Sequence, residues 1–246
     1  MSGPIVAVAA RMADELAVLE RDGDPARHFL ATYRRVTLAV GGAAGSGLVE
    51  DPDWLARWDV AFAELYLRAL TAHRAGPEQA PGPWRAAFAA PADLHPYLHV
   101  LLGMNAHINY DMPQSLLQVL TEADTGDPAL MASRARDHHA LDRVIVGLVP
   151  SESRHLVRAA AAAPGVLDRL LLPVSRAASA RLLRESREQV WANTAVLLRA
   201  RREGADALQA AVGRLEELST RRVQDLLRPR HPLLHLARRG FGVRLT

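Results

Sequence analysis

HPYLHVLLGMNAHINYDMP, residues 95–113, is the one stretch of this chain in which proton-active side chains sit inside an apolar run. An α-helix advances about 100° per residue, so positions four apart stay on one side. His95, His99, Gly103, His107 and Asp111 form such a ladder, with His107 and Asp111 as neighbours at i, i+4. His95 has drifted well round from His107 and is peripheral. The opposite side carries Leu98, Leu101, Leu102, Ile108 and Met112, with Asn105 and Asn109 among them. A helix that is apolar nearly all round belongs at the centre of its domain. Gly103, which costs a helix about 1 kcal/mol against alanine, leaves a notch for a ligand or another helix. Pro113 is expected to break or kink the helix just past Asp111 and free carbonyls there.

Outward from this helix the chain reads as helical scaffold. Residues 4–21 and 25–40 carry apolar side chains at helical spacing. Residues 51–75 predict a strong helix with Asp51 or Asp53 as cap, Pro52 in its first turn and Leu55, Trp58, Phe62, Leu65 and Ala69 inward. Between them, GGAAGSG (41–47) follows a helix and precedes no lysine, so it reads as a flexible loop rather than a phosphate cradle. A short helix from Trp84 to Ala90 leads to the central one, which Asp93 is placed to cap. Downstream, helices are expected to about residue 124, over 129–149 with Pro150 as breaker, from Ser151 through the alanine run, over 166–172, over 175–203, and over 205–227 as a hairpin partner. The tail 228–246 is basic with an apolar stripe, as in a terminal helix lying on a partner or in solvent. The sum is one all-α domain over 1–246, a bundle of about ten helices around a buried one.

Composition removes whole classes of chemistry. The 246 residues include no cysteine, which excludes disulfides, thiolate ligands and cysteine nucleophiles. They include no lysine either, which excludes Schiff-base chemistry. No nucleophile elbow or dinucleotide fingerprint appears. The formal net charge is only +3, with Arg and acids interleaved, so no nucleic-acid partner is expected. The apolar run Ile5–Ala10 is too short for a signal core or a membrane span. A cytoplasmic protein, with a homodimer among its expected forms, is the expectation.

Three readings of His107 and Asp111 stand open. They form a buried structural pair, or an acid/base pair in which Asp111 orients the His107 imidazole, or two ligands of a metal such as zinc. A metal site would need further ligands from another helix, with His138 and Asp142 repeating the i, i+4 spacing. The acid/base reading comes first. His107 and Asp111 would be catalytic; Asn105, Asn109, Gly103, His99, Trp191 and His138 would contact substrate. The expected reaction is a cyclisation, isomerisation or elimination on a small, partly apolar molecule in bacterial specialised metabolism, with no cofactor. The alternatives are a zinc-dependent hydrolase or phosphoesterase, and a non-catalytic helical binding module.

GMNAHINYDMP (103–113), DPDWLARWDVAFAELYLRAL (51–70) and REQVWANTAVLLRAR (187–201) together resemble a bacterial, mainly actinobacterial family designated domain of unknown function 5995. The resemblance implies an all-α fold over most of the chain. It matches at Asn105, His107, Asn109 and Asp111, and departs where Met112 replaces the usual leucine. The helix is also similar to the His-x-x-x-Asp helices of zinc-dependent phospholipase C and related nucleases. That likeness implies zinc at His107 and Asp111, but the N-terminal tryptophan ligand of those enzymes has no counterpart here.

Overall fold

Trp54, Trp58, Phe62 and Tyr66 recur every fourth residue and put a wall of rings along one side of a single helix. In the computed structural model, which describes residues 3–159, 185–186, 188–228 and 241–245, that wall faces the central helix. Trp58 stacks on Phe62 at 5.7 Å, and Phe62 stacks on the His107 ring at 3.6 Å with the planes 7° apart. Burying rings of this size contributes on the order of 4–6 kcal/mol each at most.

The order of elements is all helical. α1 (Gly3–Arg21) pairs with α2 (Ala26–Ala44), and both pack on α3 (Pro52–Ala75). Asp51 caps α3 by accepting from the Trp54 amide at 2.9 Å, as its sequence indicates. A 3-10 turn leads to α4 (Gly82–Phe88) and then α5 (Pro96–Ala106). A π-helical turn (His107–Asp111) and α6 (Met112–Val119) continue α5 without interruption. α7 (Glu122–Gly126), α8 (Pro128–Ala159), α9 (residues 188–203) and α10 (Ala205–Leu227) follow. Residues 241–245 run extended. Among the described residues there is no strand, and the all-α bundle with a buried central helix is the architecture observed.

Several boundaries differ from the sequence expectation for physical reasons. Pro113 does not end the central helix. The Met112 amide bonds the His107 carbonyl five residues back, and the wide turn places Pro113 in the first turn of α6, where its missing N–H costs little. The helix expected to run to residue 124 stops at Val119 instead. Thr121 and Asp124 form a capping box that starts α7. Gly41–Ala44 belong to α2, where Gly41 lies directly under Ile5 of α1. His95, not Asp93, caps α5, its Nδ1 accepting from the Tyr97 amide at 3.2 Å. Pro150 sits within α8, which extends to Ala159 at the loss of one helical hydrogen bond. The helices expected over 166–172 and from 175 fall outside the described residues up to 184. The tail is not a terminal helix over 241–245, where it is extended and largely buried.

Gly103 is where α2 meets the central helix. A Cβ there would stand 2.5 Å from the Phe29 ring. Gly103→Ala is therefore expected to destabilise the fold by about 1–3 kcal/mol despite the better helix propensity of alanine. Urea unfolding of the two proteins measures it, and an unchanged midpoint would show that Phe29 moves freely.

Candidate functional site

The π turn gives the central helix one extra residue per turn at the point where it carries most of its polar groups. His107 and Asp111 are 3% and 1% exposed. Asp111 Oδ2 accepts from His107 Nδ1 at 2.8 Å and from the Trp84 indole N–H at 2.8 Å. An ionised Asp111 accepting from both groups and a His107 in the Nδ1–H tautomer fit this geometry. His107 Nε2 then carries a lone pair, and no protein group reaches it. Burial lowers the His107 pKa, opposed by Asp111; burial raises that of Asp111, opposed by His107 and Trp84.

Rings enclose the His107 imidazole. Phe62 covers one face, Tyr33 meets it edge-on at 4.4 Å, and Phe29 and Trp84 stand at 5.8 and 5.9 Å. Around Tyr33 lie polar atoms that find no protein partner: the Tyr33 hydroxyl, Thr37 Oγ1 and Asp59 Oδ2. Thr37 faces the Tyr33 hydroxyl without completing a normal hydrogen bond, and the Asp59 charge bears on it. With His107 Nε2 they make four unpartnered buried groups contributed by α2, α3 and the π turn. Burial alone pushes the Asp59 carboxyl up to about 7. Sequence reasoning missed Asp59, Tyr33, Thr37 and Trp84. A signal for Asp59 was present: it is the one acid on the stripe Leu55, Phe62, Tyr66 that faces the core.

The remaining candidates separate. Asn105 and Asn109 do not face the dyad's surroundings. Both donate to the Phe241 carbonyl, at 3.1 and 3.0 Å, and hold the C-terminal segment. Gly103 is filled by Phe29 and touches a cleft of about 20 Å³, room for one water, lined also by Trp84, Phe88 and His99. His99 stacks on His28 at 5.9 Å, and its Nε2 has no partner. Its pKa is lowered by burial and by Arg27. His138 and Trp191 form a separate buried pair: the Trp191 N–H donates to His138 Nδ1 at 3.2 Å, and His138 Nε2 meets the Met112 sulfur at 3.4 Å. Trp58 and Phe62 stand in line between His138 and His107. Trp191 thus walls His138 rather than the dyad. His139 turns its Nδ1 to the Ala135 carbonyl. Asp137 accepts from the Glu50 and Asp51 amides and fixes the start of α3.

The zinc alternative needs ligands from α8 beside His107 and Asp111. Both nitrogens of His138 are engaged, His107 Nδ1 and Asp111 Oδ2 hold each other, and the Asp142 side chain lies outside the described part. Among the described residues no group of three or more His, Asp or Glu is disposed to hold a metal ion. Nor is any helix among them long and apolar enough to cross a membrane.

Fold and site together define an all-α protein built on a buried His–Asp helix. A model of a family of unknown function, DUF5995, matches residues 5–229, and the chain belongs to that family. No curated protein and no solved structure matches it.

The site makes stability depend on pH through Asp59. Its folded pKa of about 7 lies above the unfolded value near 3.8, so the folded state binds the extra proton between them. That contribution is present in full below about pH 4 and lost as pH rises to about 7, on the order of 4 kcal/mol. Asp59→Asn removes it. Urea titrations at pH 5 and pH 8 should show the variant gaining about 2–3 kcal/mol relative to the parent at the higher pH, and a constant difference would place Asp59 in water.

Proposed function

We propose that the protein is an enzyme that moves protons on a small, partly apolar molecule, with His107 Nε2 as the acid/base. The observation that carries this is His107 Nε2, buried without a partner, on an imidazole met edge-on by the Tyr33 ring, around whose hydroxyl the polar atoms of Thr37 and Asp59 gather. In most buried sites such groups are satisfied within the protein. Asp111 holds the imidazole in the tautomer that leaves Nε2 basic and stabilises the imidazolium that forms when it takes a proton. Asp59, whose pKa burial pushes up to about 7, and the hydroxyl of Tyr33, whose ring meets the imidazole, would hold a polar atom of the substrate or return the proton. The aromatic walls suit an apolar body. The cleft beside His99 and Gly103 shares Phe29 and Trp84 with the dyad and is the short way in. It admits a substrate once Phe29 or Phe88 rotates. A proton taken at one atom and returned at another is an isomerisation or cyclisation; with a leaving group it is an elimination.

A second reading is favoured by the 3.6 Å stacking of Phe62 on His107: the dyad is then a structural tie in a non-catalytic module. His107→Gln separates the two. Mass spectrometry of bacterial extracts incubated with each protein is expected to show a metabolite converted to an isomer or an elimination product. The variant should be slower by about 10²–10⁴-fold. Full-rate turnover of that metabolite by His107→Gln would end the acid/base assignment. A loss of 3–5 kcal/mol in stability with no conversion by either protein supports the structural tie.

A further inference from the structure

Residues 241–245 are held in a way that singles them out from the rest of the core. Asn109 on the π turn donates through Nδ2 to the Phe241 carbonyl and accepts through Oδ1 from the Val243 amide at 3.1 Å. Asn193 on α9 repeats the arrangement two residues on. Its Nδ2 donates to the Val243 carbonyl at 2.9 Å and its Oδ1 accepts from the Leu245 amide at 2.8 Å. Asn105 adds a further bond to the Phe241 carbonyl. Each of the two clamping carboxamides thus presents a donor and an acceptor to alternate main-chain groups, as a neighbouring strand would. All these bonds go to the backbone of the segment.

Side chains supply the selectivity. Phe241, Val243 and Leu245 are buried while Arg244 between them is exposed. Val243 and Leu245 enter a cluster formed by Tyr110, Leu197, Ala200, Ala211 and Leu215. At Gly242 a Cβ would run into the Gln189 side chain and lie 3.4 Å from the Ser186 backbone. The groove therefore accepts an extended chain of the pattern apolar-Gly-apolar-any-apolar. Main-chain bonds for affinity with alternate side-chain pockets for specificity is the physics of strand-type peptide recognition, here presented by asparagines on helices.

We propose that this groove, between the π turn, α9 and α10, is a peptide-binding site. Its resident ligand is the chain's own segment 241–245, which exchanges with free peptide of the same sequence. Because the resident belongs to the same chain as the groove, its binding is intramolecular and favoured over that of a free peptide. A free peptide therefore competes only when the resident is disabled.

Val243→Pro in the full chain disables it by removing the N–H given to Asn109. A fluorescent peptide Gly-Phe-Gly-Val-Arg-Leu-Thr is expected to bind that variant saturably, and the parent at least tenfold more weakly. Adding Asn193→Ala to the variant should abolish the binding. A Val243→Pro chain that keeps its helical circular dichroism and takes up no peptide overturns the proposal. Because that variant is open to failing to fold, hydrogen exchange on the parent chain stands beside it. Val243 and Leu245 amides exchanging at least tenfold faster than the slowest α3 amides supports an exchangeable segment. Exchange at the α3 rate makes the segment an integral part of the core and overturns it as well.

Discussion

One carboxylate oxygen, Asp111 Oδ2, ties the centre of this protein together. It receives a ring N–H from its own helix and an indole N–H from α4, with almost no water at hand. Removing a carboxylate from water costs several kcal/mol, and only good partners offset it. Charge-assisted hydrogen bonds contribute about 1.5–3 kcal/mol each, so two of them make the burial tolerable without making it a bargain. The arrangement requires Trp84 to be where it is, and so requires α4, a helix of seven residues, to lie across the bundle. It also requires the imidazole to sit upright between rings. The wall on α3, the notch at Gly103 under Phe29 and the seating of Tyr33 follow from housing that pair.

The π turn lets one helix serve two unlike environments. Its His107 and Asp111 face the aromatic cage, while Asn109 and Tyr110 face the C-terminal segment and α10. Pro113 is the local cause: lacking an N–H and crowding the carbonyl four residues before it, it disfavours a regular turn at this place. A register of five residues relieves the crowding, and the turn stays buried because its polar side chains find partners on other elements. The dyad and the tail clamp are consequently mechanically adjacent, since a shift of Asn109 moves the same turn that carries His107.

Much of this was legible in residues 95–113. The i, i+4 spacing joined His107 to Asp111, and the apolar surroundings buried them; Asp51 announced the start of α3. What stayed hidden shares a cause. Trp84, Tyr33 and Asp59 reach His107 from elements distant in sequence, and helical periodicity says which face is inward but not which helix it meets. Asn105 and Asn109 were read as buried polar groups in need of partners, which was sound. Their partner is a backbone more than 130 positions away, and a main chain leaves no mark in a residue pattern. The repeat of His138 and Asp142 suggested convergence with the dyad. The interposed rings of Trp58 and Phe62 keep His138 apart, since a wall of aromatics separates two sites as readily as it joins them.

The energetics of the cage argue about its purpose. Each polar group buried without a partner costs about 1–3 kcal/mol, and domains of this kind are stable by only about 5–15 kcal/mol in all. His107 Nε2, Tyr33 Oη, Thr37 Oγ1 and Asp59 Oδ2 together represent a cost comparable to that whole margin. Phe at 33, Val at 37 and Leu at 59 would fill similar space at no such cost, and replacing buried polar groups by apolar ones is often stabilising. The chain instead keeps these atoms polar beside the Tyr33 ring that meets the His107 imidazole, whose Nε2 is itself unpaired. Local departures from the most stable choice concentrate at functional sites, and here three of them gather at Tyr33, whose ring meets the imidazole that carries the fourth. A purely structural tie needs Asp111, His107 and Trp84. The polar atoms of Tyr33, Thr37 and Asp59 make no hydrogen bond to that tie, and the proposed acid/base role is what would give them one.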